Sequence, residues 1–494
     1  MAKCIMVQGT MSGVGKSLLT TALCRIFLQD GLRVAPFKSQ NMALNSCITP
    51  DGLEMGRAQA VQAFAAGKQP DVRMNPILLK PSSDTGSQLI VNGSVRGQYA
   101  AKDYFGMKQS LIPDILKAYD DLAKENDVIV IEGAGSPAEI NLRENDIVNM
   151  GLASLVNAPV ILVGDIDRGG VFAQLYGTMA LLAEEEKRRV IGTVINKFRG
   201  DLRILEPGLK DLEKLTGVPV LGVVPYTHVR IDDEDSLSET LAGFAHERPV
   251  DIAIIRFRRI SNFTDFEPLA YHPSLGIRYV TRQKDLKNPD LIILPGTKST
   301  MEDLRYLRES GLETAILRCH EKGTPILGIC GGYQMLGESV QDPHHVEGGG
   351  EMAGMGLLPC RTVFEKEKTR TRMRAVVKSK HFSGAHLEGY EIHMGQTVRS
   401  GGEAFLQLAD GREDGTVCSD VFGTYLHGLF DTGELTDHLA AWLLAKKGMT
   451  SADGTTGTES HAHFQERQFN LLADQVRKAL DMERIRQAME EYAT

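Results

Sequence analysis

The sequence lacks the marks of several classes of protein. No apolar run in its 494 residues approaches the roughly 18 residues that suggest a membrane-spanning helix. The first residues contain no apolar stretch followed by a cleavage site, so a signal peptide is not expected. The cysteines number seven, are scattered and include no Cys-x-x-Cys pair, which is unlike a disulfide framework. We therefore expect a soluble, cytoplasmic protein with reduced thiols.

The sequence also has no excess of basic over acidic residues. The chain has 55 Lys and Arg against 64 Asp and Glu, giving a net charge of -9, which argues against nucleic acid or an anionic membrane as a partner. Hydrophobic residues make up 42% and charged residues 24%, values typical of a globular protein. A chain of 494 residues is too long for one ordinary core, so two domains are expected.

Short apolar runs followed by loop residues recur along the chain. Such continuous runs are typical of parallel strands that are covered on both faces, and helical stretches lie between them. The runs occupy residues 4–7, 128–131, 160–163, 190–195, 218–224, 252–255, 291–294, 326–329 and 421–426. This alternation predicts an α/β fold with two doubly wound domains and mainly parallel sheets.

A polar stretch in the middle of the chain indicates the domain boundary. We predict one domain over residues 1–228, a linker over 229–249 and a second domain over 250–440. Residues 441–494 are predicted to form a linker and a helical tail, and the glycine-rich residues 347–356 a loop.

The run GTMSGVGKS lies between the first predicted strand and a predicted helix. Gly13 and Gly15 allow backbone N–H groups to turn towards a phosphate, and the N-terminus of the helix adds a favourable dipole. Lys16 would reach the terminal phosphates of ATP, and the Ser17 hydroxyl would face Mg²⁺. The alternative is a glycine-rich turn without a nucleotide, but strand, loop and helix together favour an ATP site.

Two acidic strand ends and one unusual loop residue complete the predicted nucleotide site. The standard phosphate loop has glycine where this chain has Thr10, and its first glycine, Gly9, lies one place earlier. Glu132 ends an apolar run and is placed to hold Mg²⁺, although it could be an exposed strand-end acid. Asp165 ends the next run and could bind Mg²⁺ or substrate.

The run PILGICGGYQ predicts a strand, a Gly-x-Cys-x-Gly turn and a helix, the thiol counterpart of a nucleophile elbow. The helix N-terminus would favour a thiolate at Cys330 and place the N–H of Gly331 near an oxyanion. The alternative is an inert buried cysteine. His427 ends another apolar run and is the expected base. A second oxyanion N–H could come from the turn that contains Gly296.

These motifs resemble those of the class I glutamine amidotransferases. In that class the cysteine attacks the side-chain amide of glutamine, releases ammonia and leaves a thioester for water to cleave. Most members carry glutamate two places after the histidine. This chain has Leu429 there, so the third triad member is missing or supplied elsewhere. The resemblance implies a flavodoxin-like glutaminase half.

The phosphate loop resembles the variant loop of dethiobiotin synthetase and the cobyrinate amidases. Those enzymes use ATP and Mg²⁺ to activate a carboxylate as an acyl phosphate. The resemblance implies a P-loop NTPase-like N-terminal half and, for the whole chain, a carbon–nitrogen ligase.

A narrower resemblance is to the cobyric acid synthase family of the cobalamin pathway, and it extends to about residue 440. Four segments carry it: SQNMALNS, EGAGSPAEINL, DIDRGGVF and GYEIHMG. The related a,c-diamide synthases have aspartates where this chain has Asn41 and Asn45. The resemblance implies amidation of the b, d, e and g carboxylates of adenosylcobyrinic acid a,c-diamide, with one ATP and one glutamine per amide. It makes Asn41, Glu139 and Asp165 candidates for substrate contacts.

Two alternatives remain open at the level of sequence. One is a related ATP-dependent amidase, either an a,c-diamide synthase or an enzyme that acts on a cell-wall precursor. The other is a non-enzymatic P-loop switch ATPase, although such proteins have no reason to carry the cysteine elbow and a downstream histidine. The predicted partners are glutamine, ATP and a corrinoid. The role of His393 and the oligomeric state stay open.

Overall fold

The computed structural model describes residues 2–81, 86–231, 248–449 and 458–493. They form two compact units. The first comprises Met1–Ala43, Leu53–Asp232 and Gln465–Thr494, and the second Leu44–Gly52 and Asp233–Phe464. Most of the predicted linker at residues 229–249, and most of the predicted connection before the helical tail, lie outside the described residues.

A six-stranded parallel sheet forms the centre of the first unit. Its strands, in the order in which they pair, are Val220–Pro225, Val190–Phe198, Val160–Asp165, Lys3–Gly9, Val128–Glu132 and Val34–Phe37. The central strands are buried along almost their whole length, as expected for apolar runs covered on both faces. The predicted α/β fold is confirmed.

The helices of the first unit connect and cover these strands. Their bounds are Lys16–Gln29, Arg57–Ala65, Ala101–Met107, Ile112–Glu125, Met150–Leu155, Val171–Leu181, Glu184–Lys187 and Leu202–Thr216, with 3₁₀ turns at Val72–Met74, Lys108–Leu111 and Ile140–Asn145. A small sheet, mainly antiparallel, adds Gln40–Met42, Ile77–Pro81, Gly86–Val91 and Ser94–Ala100, and Glu54–Gly56 is a further short strand outside this sheet. This small sheet was not predicted.

The helical tail is confirmed and packs on the first unit. It consists of His461–Ala479 and Met482–Ala493. Arg477 and Arg486 both bind the Asp30 carboxylate, at 2.7 and 2.6 Å, just beyond the end of the first helix. Apolar residues of both tail helices join the hydrophobic core beneath that helix.

The second unit contains another six-stranded sheet. Its strands, in pairing order, are Leu275–Val280, Val250–Ile255, Leu291–Leu294, Ile326–Ile329, Val421–Thr424 and Thr416–Cys418. All neighbours are parallel except the last pair. The helices are Glu267–Tyr271, Gln283–Leu286, Thr300–Glu309, Leu312–Glu321, Gly331–Leu336 and Glu434–Lys446, with a 3₁₀ turn at Phe263–Phe266.

A further sheet of the second unit was missed at the level of sequence. It contains Gly350–Ala353, Ser339–Asp342, Cys360–Val377, Leu406–Leu408 and Glu413–Asp414, with His386–Arg399 paired along Cys360–Val377. The prediction of a loop over residues 347–356 was wrong in part, because Gly350–Ala353 pairs antiparallel with Ser339–Asp342. Ser46–Ile48 is a further short strand, outside the two larger sheets of this unit. In the described parts of the chain, no helix is both long and apolar enough to cross a membrane.

Candidate active sites

Cys330 lies at a sharp turn between the strand Ile326–Ile329 and the helix Gly331–Leu336. Its backbone is in a strained conformation, with φ 51° and ψ -109°. A Cβ added to Gly332 would lie 1.9 Å from the carbonyl oxygen of Leu294, so only glycine allows the helix to start this close to the neighbouring strand. The turn is therefore the elbow that the sequence predicts, with the sulfur at the carboxyl end of the sheet.

His427 and Asp265 form a buried pair beside this cysteine. His427 Nδ1 donates to Asp265 Oδ2 over 2.6 Å, and the imidazole is also a hydrogen-bonding partner of Cys330. Burial alone would lower the pKa of His427, but the Asp265 carboxylate and the Cys330 thiol raise it to about 10. A protonated imidazole at neutral pH stabilises a neighbouring thiolate by charge attraction.

Asp265 occupies the position that a third triad member needs, and no sequence motif indicated it. It belongs to the 3₁₀ turn Phe263–Phe266, in the loop after the strand Val250–Ile255. The usual place for this carboxylate, two residues after the histidine, holds the buried Leu429. The carboxylate therefore comes from a different strand end of the same sheet.

The two glycines predicted for the oxyanion lie beside this pair. A Cβ at Gly296 would be 3.1 Å from His427 Cε1, and the Gly296 carbonyl accepts the N–H of Ser261 at 2.9 Å. A Cβ at Gly331 would be 2.7 Å from Cγ2 of Thr297, the residue after Gly296. The turn that contains Gly296 thus lies beside both His427 and the start of the helix after Cys330, and the role of these two glycines at an oxyanion stays a prediction.

A chain of polar side chains extends from the elbow to the glycine-rich loop. Gln334 Nε2 donates to Tyr425 Oη at 3.2 Å, and its Oε1 accepts from Thr300 Oγ1 at 2.9 Å. The half-buried Glu347 accepts from the N–H of Met301 at 3.1 Å, and its Oε1 lies 3.4 Å from Thr300 Oγ1. Burial raises the pKa of Glu347 to about 7. A carboxylate held in this way suits an ammonium group.

His393 supports this polar chain. Its ring stacks on Tyr425 with a centroid distance of 3.7 Å, and its Nδ1 donates to the Gly395 carbonyl at 2.7 Å. Burial lowers the pKa of His393 to about 4, so the ring is neutral near pH 7. The structure thus gives His393 a role in holding Tyr425.

The predicted phosphate loop has the backbone that its sequence implies. Gly13 and Gly15 adopt positive φ angles of 74° and 98°, and Lys16 begins the helix that follows. Lys16 Nζ donates to the carbonyls of Met11 and Gly135 at 3.0 Å each. In the same loop, Thr10 Oγ1 donates to Gln174 Oε1 at 3.2 Å. The ammonium group therefore lies across the loop, between the ends of two neighbouring strands.

Glu132 is buried and shared by three side chains. Ser17 Oγ and Lys38 Nζ donate to Glu132 Oε1 at 3.0 and 2.8 Å, while Gln62 Nε2 donates to its other oxygen. The side chains of Lys38 and Glu132 are only 6% and 0% exposed. Because a buried carboxylate needs a compensating charge, Lys38 belongs to this site, although the sequence did not single it out.

The oxygen atoms of Ser17 and Glu132 are of the kind that Mg²⁺ prefers, in combination with phosphate oxygens and water. Among the described residues no group of three or more His, Cys, Asp and Glu side chains forms a candidate metal centre. A metal at Ser17 and Glu132 would therefore take most of its ligands from the nucleotide and solvent.

The candidates for substrate contacts differ in their surroundings. Asp165 Oδ2 binds Lys197 Nζ at 2.8 Å, and the same Nζ donates to the carbonyl of Gly13 at 2.7 Å. Asp165 thus supports the phosphate loop through Lys197. Asn41 is buried and donates to Gln59 Oε1 at 2.9 Å, whereas Glu139 is exposed just before the turn Ile140–Asn145.

The chain matches two protein-family models. One is described as the CobQ/CobB/MinD/ParA nucleotide binding domain and covers residues 5–237, and the other as the CobB/CobQ-like glutamine amidotransferase domain and covers residues 251–435. Each match contains one of the two sites described above. Among solved structures, one described as a glutamine amidotransferase is 16% identical, with a TM-score of 0.30, over 40% of this chain and 99% of that chain.

Curated relatives match over almost the whole length. The cobyric acid synthase of Ruminiclostridium cellulolyticum is 56% identical over 99% of this chain and 98% of its own length. The cobyric acid synthase of Lachnoclostridium phytofermentans is 54% identical over 99% of this chain and 100% of its own length. That of Salmonella agona is 50% identical over 100% of this chain and 99% of its own length. At these identities, over both domains, the chain belongs to the cobyric acid synthase family.

Proposed function

We propose that the chain amidates the b, d, e and g carboxylates of adenosylcobyrinic acid a,c-diamide in adenosylcobalamin biosynthesis, using ATP and glutamine. The observation that carries this proposal is the presence, in one chain, of a Cys330–His427–Asp265 centre and a phosphate loop beside Glu132. The 50–56% identity to cobyric acid synthases supports the choice of substrate.

The thiol centre supplies ammonia. The Cys330 thiolate attacks the side-chain amide carbon of glutamine, and the N–H groups of Gly296 and Gly331 stabilise the oxyanion. The imidazolium of His427 gives its proton to the leaving nitrogen, so ammonia departs and a thioester remains. Water then attacks the thioester while His427 takes its proton, which releases glutamate and restores the thiolate. Asp265 keeps His427 oriented and stabilises its charged form.

The phosphate loop activates the acceptor. A substrate carboxylate attacks the γ-phosphorus of ATP, which forms an acyl phosphate and ADP. Gly13, Gly15 and Lys16 bind the phosphates, and Mg²⁺ bound at Ser17 and Glu132 would offset their negative charge. Ammonia then attacks the acyl carbon, and phosphate leaves as the amide forms. Thr10, Asn41, Glu139 and Asp165 remain candidates for contacts with nucleotide or substrate.

The first test is the mass gain of adenosylcobyrinic acid a,c-diamide with ATP and glutamine, measured for the wild type and for Cys330→Ala. We expect the wild type to add four amides. Cys330→Ala should lose synthesis from glutamine and keep it with ammonium chloride, because only the ammonia supply requires the thiol.

The outcomes of this test separate the alternatives. If glutamine is hydrolysed while the corrinoid keeps its mass, the substrate assignment fails and a related amidase is favoured. If no glutamine is hydrolysed at all, the thiol centre is inactive and a switch ATPase becomes the better interpretation.

A second prediction concerns Glu347, which we propose binds the α-ammonium group of glutamine. Glu347→Gln should raise the KM for glutamine by roughly 10- to 100-fold, the range expected for the loss of one charge-assisted hydrogen bond, with a much smaller change in kcat. Since the pKa of Glu347 is about 7, the carboxylate predominates above that pH. The wild-type KM should therefore fall as the pH rises through 7, and the KM of the variant should not.

An analogue of glutamine without the α-amino group sharpens this test. The wild type should discriminate strongly against it, and Glu347→Gln should lose that discrimination. Glu391→Gln is the matched control, because Glu391 is a buried glutamate of the same unit whose pKa burial also raises to about 7. Equal discrimination in wild type and Glu347→Gln would show that Glu347 does not contact the ammonium.

A further inference from the structure

A short segment from the first part of the chain belongs to the unit that carries the thiol centre. Leu44–Gly52 is part of the second unit, whereas the residues before and after it are part of the first. Its strand Ser46–Ile48 is buried throughout. The chain therefore leaves the nucleotide-binding unit at one point, contributes this segment to the glutaminase unit and returns.

The backbone of Ser46 is bound by two side chains that also contact His427. The Ser46 N–H donates to Asn262 Oδ1 at 3.2 Å, and the Ser46 carbonyl accepts from Tyr390 Oη at 3.3 Å. Asn262 Nδ2 lies 3.4 and 3.5 Å from the two ring nitrogens of His427. The ring of Tyr390 stacks on the imidazole, with centroids 5.3 Å apart. The backbone of one residue thus holds both neighbours of the catalytic imidazole.

Asn262 also holds the carboxylate that orients His427. Its backbone is left-handed, with φ 52° and ψ 39°, and it precedes the turn Phe263–Phe266. Its carbonyl accepts the N–H of Asp265 at 3.0 Å. Asparagine tolerates this backbone better than most residues, and its side chain remains available for Ser46 and His427.

The same segment supports the cysteine. Ile48 forms a buried apolar cluster with Tyr390 and Ile392. The carbonyl of Ile392 accepts from Cys330 Sγ at 3.7 Å. Removing the Ile48 side chain would therefore loosen contacts on both sides of the thiol–imidazole pair.

The segment also contains an unsatisfied buried group. Asn45 is 1% exposed, and neither polar atom of its side chain has a hydrogen-bond partner among the described residues. An unpaired buried amide raises the free energy of this arrangement.

We propose that Leu44–Gly52 is a positioning element of the thiol centre. In this proposal, the Ser46 backbone holds the side chains of Asn262 and Tyr390 in contact with His427. The Ile48 side chain holds Ile392 in contact with Cys330. The inference deepens the proposed function and rests on it.

Two variants test the inference, Asn262→Ala and Ile48→Ala. The first readout is the kcat for glutamine hydrolysis. Both variants should show a kcat that is roughly 10- to 100-fold lower than that of the wild type, as expected when reacting groups are displaced. Synthesis with ammonium chloride should be unchanged, because it does not use the thiol.

The second readout does not depend on turnover. The rate of alkylation of Cys330 by iodoacetamide is followed against pH, in a Cys418→Ser background that removes the exposed cysteine. Both variants should shift this pH profile, because the imidazolium that stabilises the thiolate is no longer held in place. This readout decides the inference even if the wild type fails to hydrolyse glutamine, an outcome that would count against the proposed function instead.

Ile316→Ala is the matched control. Ile316 is fully buried in the helix Leu312–Glu321, in the core of the same unit, so this variant should lose thermal stability but keep the hydrolysis rate and the alkylation profile. The inference is overturned if Asn262→Ala and Ile48→Ala behave like Ile316→Ala. It is also overturned if synthesis with ammonium chloride falls in parallel with hydrolysis.

Discussion

Asp265→Asn is expected to slow glutamine hydrolysis by roughly 10³- to 10⁴-fold, the size of effect seen when the carboxylate of a serine protease triad is replaced by its amide. The amide has nearly the same shape but carries no charge, so it cannot stabilise a protonated His427. Burial then lowers the pKa of the imidazole, and only the contact with Cys330 still opposes this, so the cation beside Cys330 is weakened. Synthesis with ammonium chloride should continue.

The pH dependence of stability gives an independent check on the same pair. The pKa of His427 is raised from 6.5 to about 10 in the folded protein, so binding of its proton stabilises the fold. This contribution is complete below pH 6.5 and is lost as the pH rises through about 10. The free energy of unfolding of Asp265→Asn should therefore be furthest below that of the wild type at the acidic end of this range, and the gap should narrow towards pH 10.

Asp251→Asn is the control for this variant. Asp251 pairs with Arg278, at 2.7 Å, between the neighbouring strands Val250–Ile255 and Leu275–Val280. Asp251→Asn should lower the free energy of unfolding and leave the rate of glutamine hydrolysis unchanged. A hydrolysis rate in Asp265→Asn within about tenfold of the wild type would mean that His427 works without this carboxylate.

The features that were predictable from sequence are those encoded by neighbouring residues. The elbow around Cys330 and the phosphate loop around Lys16 each depend on glycines within a few positions, so a short run indicates them. Asp265 is different, because it meets His427 across 162 positions of sequence and lies in a turn with no recognisable motif. Only the strand order of the folded sheet brings these two residues together.

The strands also divide into those that the sequence predicts and those that it does not. Parallel strands such as Val128–Glu132 were predicted because burial on both faces demands continuous apolar runs. The strand Cys360–Val377 was missed because its middle is rich in Lys, Arg and Glu, so that it resembles an exposed loop. Lys38 was missed for a related reason. A lone lysine is usually a solvated surface residue, and only the buried Glu132 explains its position.

Glu132→Gln is expected to abolish amide synthesis from both glutamine and ammonium chloride while glutamine hydrolysis without acceptor continues. The carboxylate is the charged group that, with Ser17, would hold Mg²⁺ against the phosphates of ATP. Loss of one such electrostatic contact in an active site typically costs roughly 10²- to 10³-fold in rate. The measurement is the ATP-dependent mass gain of the corrinoid with each nitrogen source, alongside glutamate release.

The interpretation of Glu132→Gln depends on Lys38, which is buried beside Glu132. A substitution at Lys38 therefore provides the best control. Glu132→Gln takes the carboxylate charge away from the buried Lys38 ammonium, and breaking a buried ion pair in this way typically destabilises a protein by about 3–5 kcal/mol. The double variant Glu132→Gln with Lys38→Met removes both charges and should recover much of the stability, since replacing a whole buried ion pair by uncharged groups is often nearly neutral. If Lys38→Met alone keeps synthesis and the folded double variant lacks it, Glu132 is required for chemistry. If synthesis returns in the double variant, the loss in Glu132→Gln reflected the lysine left without the Glu132 charge, and the metal must be held elsewhere.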